Sequence, residues 1–126
     1  MKRCIAALAL LSVLATVTPG CYRTLDDRSR AGVPFKKDTI KGRYERSVEQ
    51  VQNAARRVLQ YNGTLVSDDI VNAVLTGKVD TRTVYVRLTE LEPNITDVTV
   101  QVRTKGGGAD VDLAAEIEKQ IALNLR

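Results

Sequence analysis

Apolar residues recur along this chain with three different spacings, and each spacing predicts a different kind of element. From Ile5 to Val17 they are nearly continuous. After Ser47, the residues Val48, Val51, Ala55, Val58 and Leu59 fall three and four apart, with Gln52, Arg56 and Arg57 elsewhere around the turn, which predicts an amphipathic helix. Leu113, Ile117, Ile121 and Leu125 repeat every four residues, with Ala114 beside them and Glu116, Glu118 and Lys119 on the other side. This predicts a second helix from about Asp110 almost to the last residue. Between the helices the period changes to two, in Val84-Tyr85-Val86-Arg87-Leu88, in Val98 to Arg103, and in Val71, Ala73, Leu75, Gly77 and Val79.

Local signals bound these elements. Ser47-Val48-Glu49-Gln50 is a capping box, in which the Ser47 hydroxyl accepts from the Gln50 amide while the Gln50 side chain reaches back. Asn62-Gly63 closes the first helix, since either residue takes a left-handed conformation readily. For the apolar faces of 84–88 and 98–102 to coincide in an antiparallel pair, paired residue numbers must sum to an even number, so the connecting loop has odd length. Loops of two or four residues are then excluded, and Pro93 favours a five-residue loop in which it stands second in the turn. The same parity requires an even loop before Val84, either Asp80-Thr81 or Asp80 to Thr83. Residues 63–67 read as a fourth strand and residues 42–46 as a short fifth before the first helix. One face of such a sheet is apolar, and two helices can cover it. The predicted fold is α+β: a two-layer sandwich with an antiparallel meander sheet of four to five strands covered on one face by two helices.

The continuous run near the start has another purpose. Lys2 and Arg3 precede about 13 apolar residues, the length of a secretory h-region and too short to span a bilayer. Thr18-Pro19-Gly20 breaks the run and places a small residue immediately before Cys21. Gly20-Cys21 after an apolar run resembles a bacterial lipobox, whose cysteine becomes the lipidated first residue of the mature chain. Thr18 stands where an aliphatic residue is usual and Pro19 where Ala or Ser is commoner, so type I cleavage near the same place stays open as the alternative. Cys4, the other cysteine, lies in the segment to be removed, so no intramolecular disulfide survives processing. Acylation of Cys21 would anchor the chain, at about 0.8 kcal/mol per buried methylene. Tyr22 rather than Asp after the cysteine implies, by the same resemblance, transfer to the outer membrane.

Charge changes this picture only locally. Removal of Lys2 and Arg3 lowers the formal net charge of +4 to +2, with both signs interspersed, so no clustered basic face argues for nucleic acid. Residues 23–41 are rich in charge and poor in apolar side chains, and read as a solvated tether. Three segments result: a signal peptide at 1–20, a lipidated N-terminus and flexible tether at 21–41, and an α+β domain at 42–126.

The order strand, helix, meander, helix, with Leu75-Thr76-Gly77-Lys78-Val79, VYVRLTEL, DVTVQVR and the glycines before a last helix, resembles a family of small bacterial lipoproteins of unknown function. The resemblance runs from the signal peptide to the final helix. It implies a lipid-anchored envelope domain of this fold and carries over no catalytic or binding residue.

The chemical inventory is thin. The chain has no histidine, which removes His-based triads and His metal ligands. Asp68 and Asp69, with Asp80, form the densest carboxylate group, but adjacent strand residues point to opposite faces, so turn chemistry is the expected role of the aspartate pair. Gly106-Gly107-Gly108 precedes a helix as an anion cradle would, yet Asp110 and Asp112 already cap that helix start and repel an anion. No catalytic residue, metal or cofactor is expected. The reading is a non-catalytic interaction or structural module of the bacterial envelope, held to the membrane by its lipid and working with an envelope protein partner. Its alternative is a periplasmic small-ligand or lipid-binding domain with a groove between helices and sheet. The candidate interaction surface is the outer strand face with Tyr85, Arg87, Gln101 and Arg103, whose other reading is simple solvation.

Overall fold

The computed structural model describes residues 21–23, 29–31 and 38–126; the predicted signal segment lies outside them. Strands β1 (Cys21–Arg23) and β2 (Ser29–Ala31) pair antiparallel, with Cys21 opposite Ala31. This pairing falls within the stretch read as a tether. The chain continues as β3 (Thr39–Tyr44), α1 (Val48–Asn62), β4 (Thr64–Asp69), β5 (Val74–Val79), β6 (Arg82–Glu92), β7 (Ile95–Arg103) and α2 (Val111–Asn124). Strands β3 to β7 form one antiparallel sheet in the order β3-β7-β6-β5-β4. The four later strands are a meander, and β3 closes its β7 edge. The fold is the α+β sandwich expected from the spacing, with five strands. Its first strand starts at Thr39, three residues before Gly42, because Ile40 alternates with Gly42 and Tyr44 onto the helix side.

Both helices lie on the apolar face. Val51, Ala54, Ala55, Val58 and Leu59 of α1 and Ala114, Ile117 and Ile121 of α2 meet Leu75, Val79, Val84, Val86, Leu88, Val98, Val100 and Val102 from the sheet in one core. No aromatic residue is needed to fill it; Tyr44 packs only at its margin. The capping box at Ser47 is present in both directions. Asp110 caps α2, its Oδ1 accepting from the Leu113 amide at 3.0 Å. Asn62-Gly63 ends α1 for a different reason from the one expected. Gly63 has φ −176°, which is extended, not left-handed. A glycine is needed there because a Cβ would run into the carbonyl of Lys78 on β5.

The parity argument holds at both hairpins. Gly77 pairs with Val84 and Val79 with Arg82, leaving Asp80-Thr81 as the turn, with Asp80 at φ 55°. Leu88 pairs with Val98 and Glu90 with Thr96, enclosing five residues, 91–95. Inside that loop the register shifts, so that Glu92 pairs with Ile95 across a tight Pro93-Asn94 turn. The exclusion of a two-residue turn is therefore corrected: a bulge at Leu91 supplies the odd residue that parity demands. Pro93 is second in the turn, and Asn94 takes the left-handed conformation at φ 62°.

One predicted strand is shorter than its alternation. Val71 lies in the turn before β5 and is 93 % exposed, and Ile70 beside it is 75 % exposed. Asp69 accepts from the Val71 and Asn72 amides and from the Asn72 side chain, which holds these residues in a turn and overrides their strand preference.

Candidate functional site

The outer face of the sheet is largely buried at the residues that the alternation placed on it. Tyr85 and Gln101 face each other across β6 and β7 and are 3 % and 1 % exposed; Arg103 is 6 % exposed and Arg87 half-buried. None of the four lacks a partner. Asp38, just before β3, reaches this face: its carboxylate accepts from Gln101 Nε2 at 2.9 Å and pairs with Arg103. The guanidinium is thus neutralised within the fold, as a buried charge must be. Three of the four residues predicted to line an outer surface are thus buried, and Arg87 is half-buried. Alternation marks which residues share a face and says nothing of what lies over it.

The carboxylates form cross-element clasps. Asp68 does not share its turn role with Asp69. It pairs with Leu75 at the end of β4 and accepts from Gln52 Nε2 at 2.7 Å and Arg56 Nε at 2.8 Å, while Arg56 also donates to Asn53 Oδ1. This ties α1 to the β4 edge. Arg82 donates to Asp110 Oδ2 at 2.7 Å and Asp80 at 3.2 Å, which joins the β5–β6 turn to the start of α2. The Leu113 amide and Arg82 together hold the Asp110 carboxyl below the usual range. Arg43 and Asp97 pair across β3 and β7, and that hydrogen bond likewise lowers Asp97. Tyr44 donates its hydroxyl to Glu118 of α2, and the two side chains lie over Gly42, where a Cβ would collide with them. Burial first, and the bond to Glu118 next, push the Tyr44 phenol above its ordinary value. Among the described residues no three His, Cys, Asp or Glu side chains converge as metal ligands.

The glycines before α2 form a turn closed on itself. The Thr104 amide donates to Gly108, Gly107 donates back to Thr104, and only Gly107 has positive φ, at 86°. Asp110 then occupies the helix start.

Among the described residues a groove of about 460 Å³ lies between the two helices, lined by Arg57, Val58, Tyr61, Gln120, Leu123 and Asn124. Tyr61 is 88 % exposed and Leu123 50 % exposed, while Val58 is buried at its base. Sequence reasoning did not single out these residues. The signal was present in Leu123, an apolar residue two positions off the Ile117–Ile121 row, and in Arg57 and Tyr61, one turn apart and outside the core stripe. Cys21 lies in β1, and Cys4 outside the described residues. Among the described residues no helix is long and apolar enough to cross a membrane.

No curated protein matches the chain. A family model does, over residues 4–124, and on that coverage the chain belongs to the family described as "Protein of unknown function (DUF3568)".

Proposed function

We propose that this protein is a lipid-anchored component of the bacterial envelope, facing the periplasm, that acts as a non-catalytic interaction module. The anchor rests on the sequence: a basic start, a short apolar run, and Gly20-Cys21 at its end. Tyr22 after the cysteine favours the outer membrane. The observation that carries the non-catalytic reading is the employment of the carboxylates. Asp68, Asp97 and Asp110 each hold an arginine from another element, and Asp69 holds its own turn. These four carboxylates are thereby engaged with structural partners, whereas general acid–base chemistry needs an acid poised beside a base in a cleft. The alternative of a ligand chamber between helices and sheet is disfavoured because the residues there pack on one another as one buried aliphatic cluster.

The test is intact mass spectrometry of the chain purified from bacterial membranes, with and without Cys21→Ala. A mature chain beginning at Cys21, heavier by acyl and diacylglyceryl groups and lost from membranes in the variant, is expected. Recovery of an unmodified soluble chain would remove the anchor.

A further inference from the structure

The groove between α1 and α2 differs from the other exposed apolar positions. Val66 lies on the β4 edge, Ile70 and Val71 in the turn after it, and Leu91 near the β6–β7 turn. Tyr61 and Leu123 instead flank a concavity with Val58 at its base. The amides there are already engaged: Asn62 donates to Gln120 at 2.6 Å, Gln120 to Glu116 at 3.0 Å, and Asn124 to the Gln120 carbonyl at 2.9 Å. Arg57 is the exception. It is exposed, makes no hydrogen bond or ion pair among the described residues, and is the single formal charge in the lining.

Resting on the reading of this protein as an interaction module, we propose that the groove docks a protein segment carrying a carboxylate next to an aliphatic or aromatic side chain. The carboxylate would meet the Arg57 fork, and the apolar side chain would lie between Tyr61 and Leu123 over Val58. Tyrosine and arginine are the residues on which interface energy concentrates, and a groove between two helices suits a helical or extended segment. Charge complementarity selects this occupant over others. A second copy docked through the same patch would bring no acid to Arg57, because the lining has none. A lipid surface would call for several basic residues, whereas the lining offers one. A fatty acid would need most of its surface enclosed, and a groove walled by a side chain 88 % exposed does not enclose it.

The probe is a random peptide library displayed on phage and selected on the full chain purified from membranes. Enriched peptides should carry Asp or Glu within one turn of Leu, Ile or Phe. A synthetic peptide of that consensus should bind about tenfold more weakly to Arg57→Glu and to Tyr61→Ala. The same peptide with its acid changed to Lys should regain affinity for Arg57→Glu. Circular dichroism should not change, since both side chains are exposed, and Val71→Ala, in the turn at the far end of β4 from α1, should bind as wild type does. Enriched peptides without acids, or equal binding to Arg57→Glu, would overturn the proposal. So would self-association in sedimentation velocity that Tyr61→Ala abolishes, or a fluorescent fatty acid displaced from the wild type and not from Tyr61→Ala. If Cys21 proves acylated and the peptide arm fails, the groove proposal falls and the anchored module stands. If Cys21 is unmodified and the charge swap succeeds, the reverse holds.

Discussion

Gly63 and Lys78 are in closer contact than any side chain would allow: a Cβ on Gly63 would overlap the Lys78 carbonyl oxygen and stand 2.9 Å from its carbon and 3.1 Å from the Val79 Cα. The contact sits where α1 hands over to β4, whose first residue, Thr64, pairs with Lys78. The obstacle is backbone, so it cannot move aside as a side-chain tip would. Gly63→Ala should therefore lower stability by about 2–3 kcal/mol, the cost of overpacking a tight site. Urea unfolding checks this. A change below 0.5 kcal/mol, roughly the effect of an ordinary surface substitution, would mean that β4 can shift away from α1 at little cost.

That residue also shows what the sequence can convey. Asn62-Gly63 marks the end of a helix correctly, but the physical reason lies fifteen positions beyond Gly63, in Lys78, and no local pattern contains it. Hairpin registers were legible because side-chain alternation has a period of two, so Leu75, Val86 and Val100 can share a face only for certain loop parities. The bulge at Leu91 was not legible, since it keeps the parity while shortening the turn. The burial of residues on the outer face was not legible for a related reason. Gln101 and Arg103 look like solvated strand residues until Asp38 is found beside them, and Asp38 lies in a stretch with no periodicity to place it. The groove was passed over because Tyr61 and Leu123 lie off the core rows, where an apolar residue carries no pattern of its own.

Asp68 connects β4 to α1 through Gln52 and Arg56, and its removal should be felt on both. Asp68→Ala leaves two donors at a half-buried junction and should destabilise by about 1–2 kcal/mol, moderated because Arg56 is one-third exposed and can recover water. Arg56→Ala should cost less, and the double variant less than the sum of the two, because the singles share one interaction. Additive effects in a denaturant-based double-mutant cycle would show that the pair contributes nothing beyond its separate surroundings.

Tyr44 makes the alkaline side of the stability profile informative. Its phenol is held above the ordinary value in the fold, so the folded state favours the neutral form. The stabilisation it gives is fully present below the unfolded value of about 10 and is lost as pH rises through the folded value. At neutral pH, Tyr44→Phe should cost about 1–2 kcal/mol through loss of a hydrogen bond to the Glu118 carboxylate. Above about pH 10 the gap between wild type and variant should narrow, because only the wild type has this phenol to ionise on unfolding. A gap that stays constant from pH 8 to 11, roughly the accessible alkaline range, would mean the hydroxyl is not held against ionisation.

Asp110 governs the acid side by the opposite sign. Its folded carboxyl is depressed first by the Leu113 amide and then by Arg82, so its contribution is present above the unfolded value of about 3.9 and disappears as pH falls through the lower folded one. Asp69 and Asp97 shift in the same direction and add to the loss in the same window. Asp110→Asn separates the two roles of the residue, because asparagine also caps a helix but carries no charge for Arg82. At pH 7 the variant should lose about 0.5–1 kcal/mol, from the missing charge at a helix start and the weakened Arg82 contact. Asp110→Ala, which loses the cap as well, should lose about 1–2 kcal/mol. Between about pH 4 and pH 2 the wild type should fall toward Asp110→Asn as its carboxyl takes up a proton. Thermal melts across that range read the convergence directly. Parallel curves would assign the acid dependence to Asp69 and Asp97 and leave Asp110 a neutral cap.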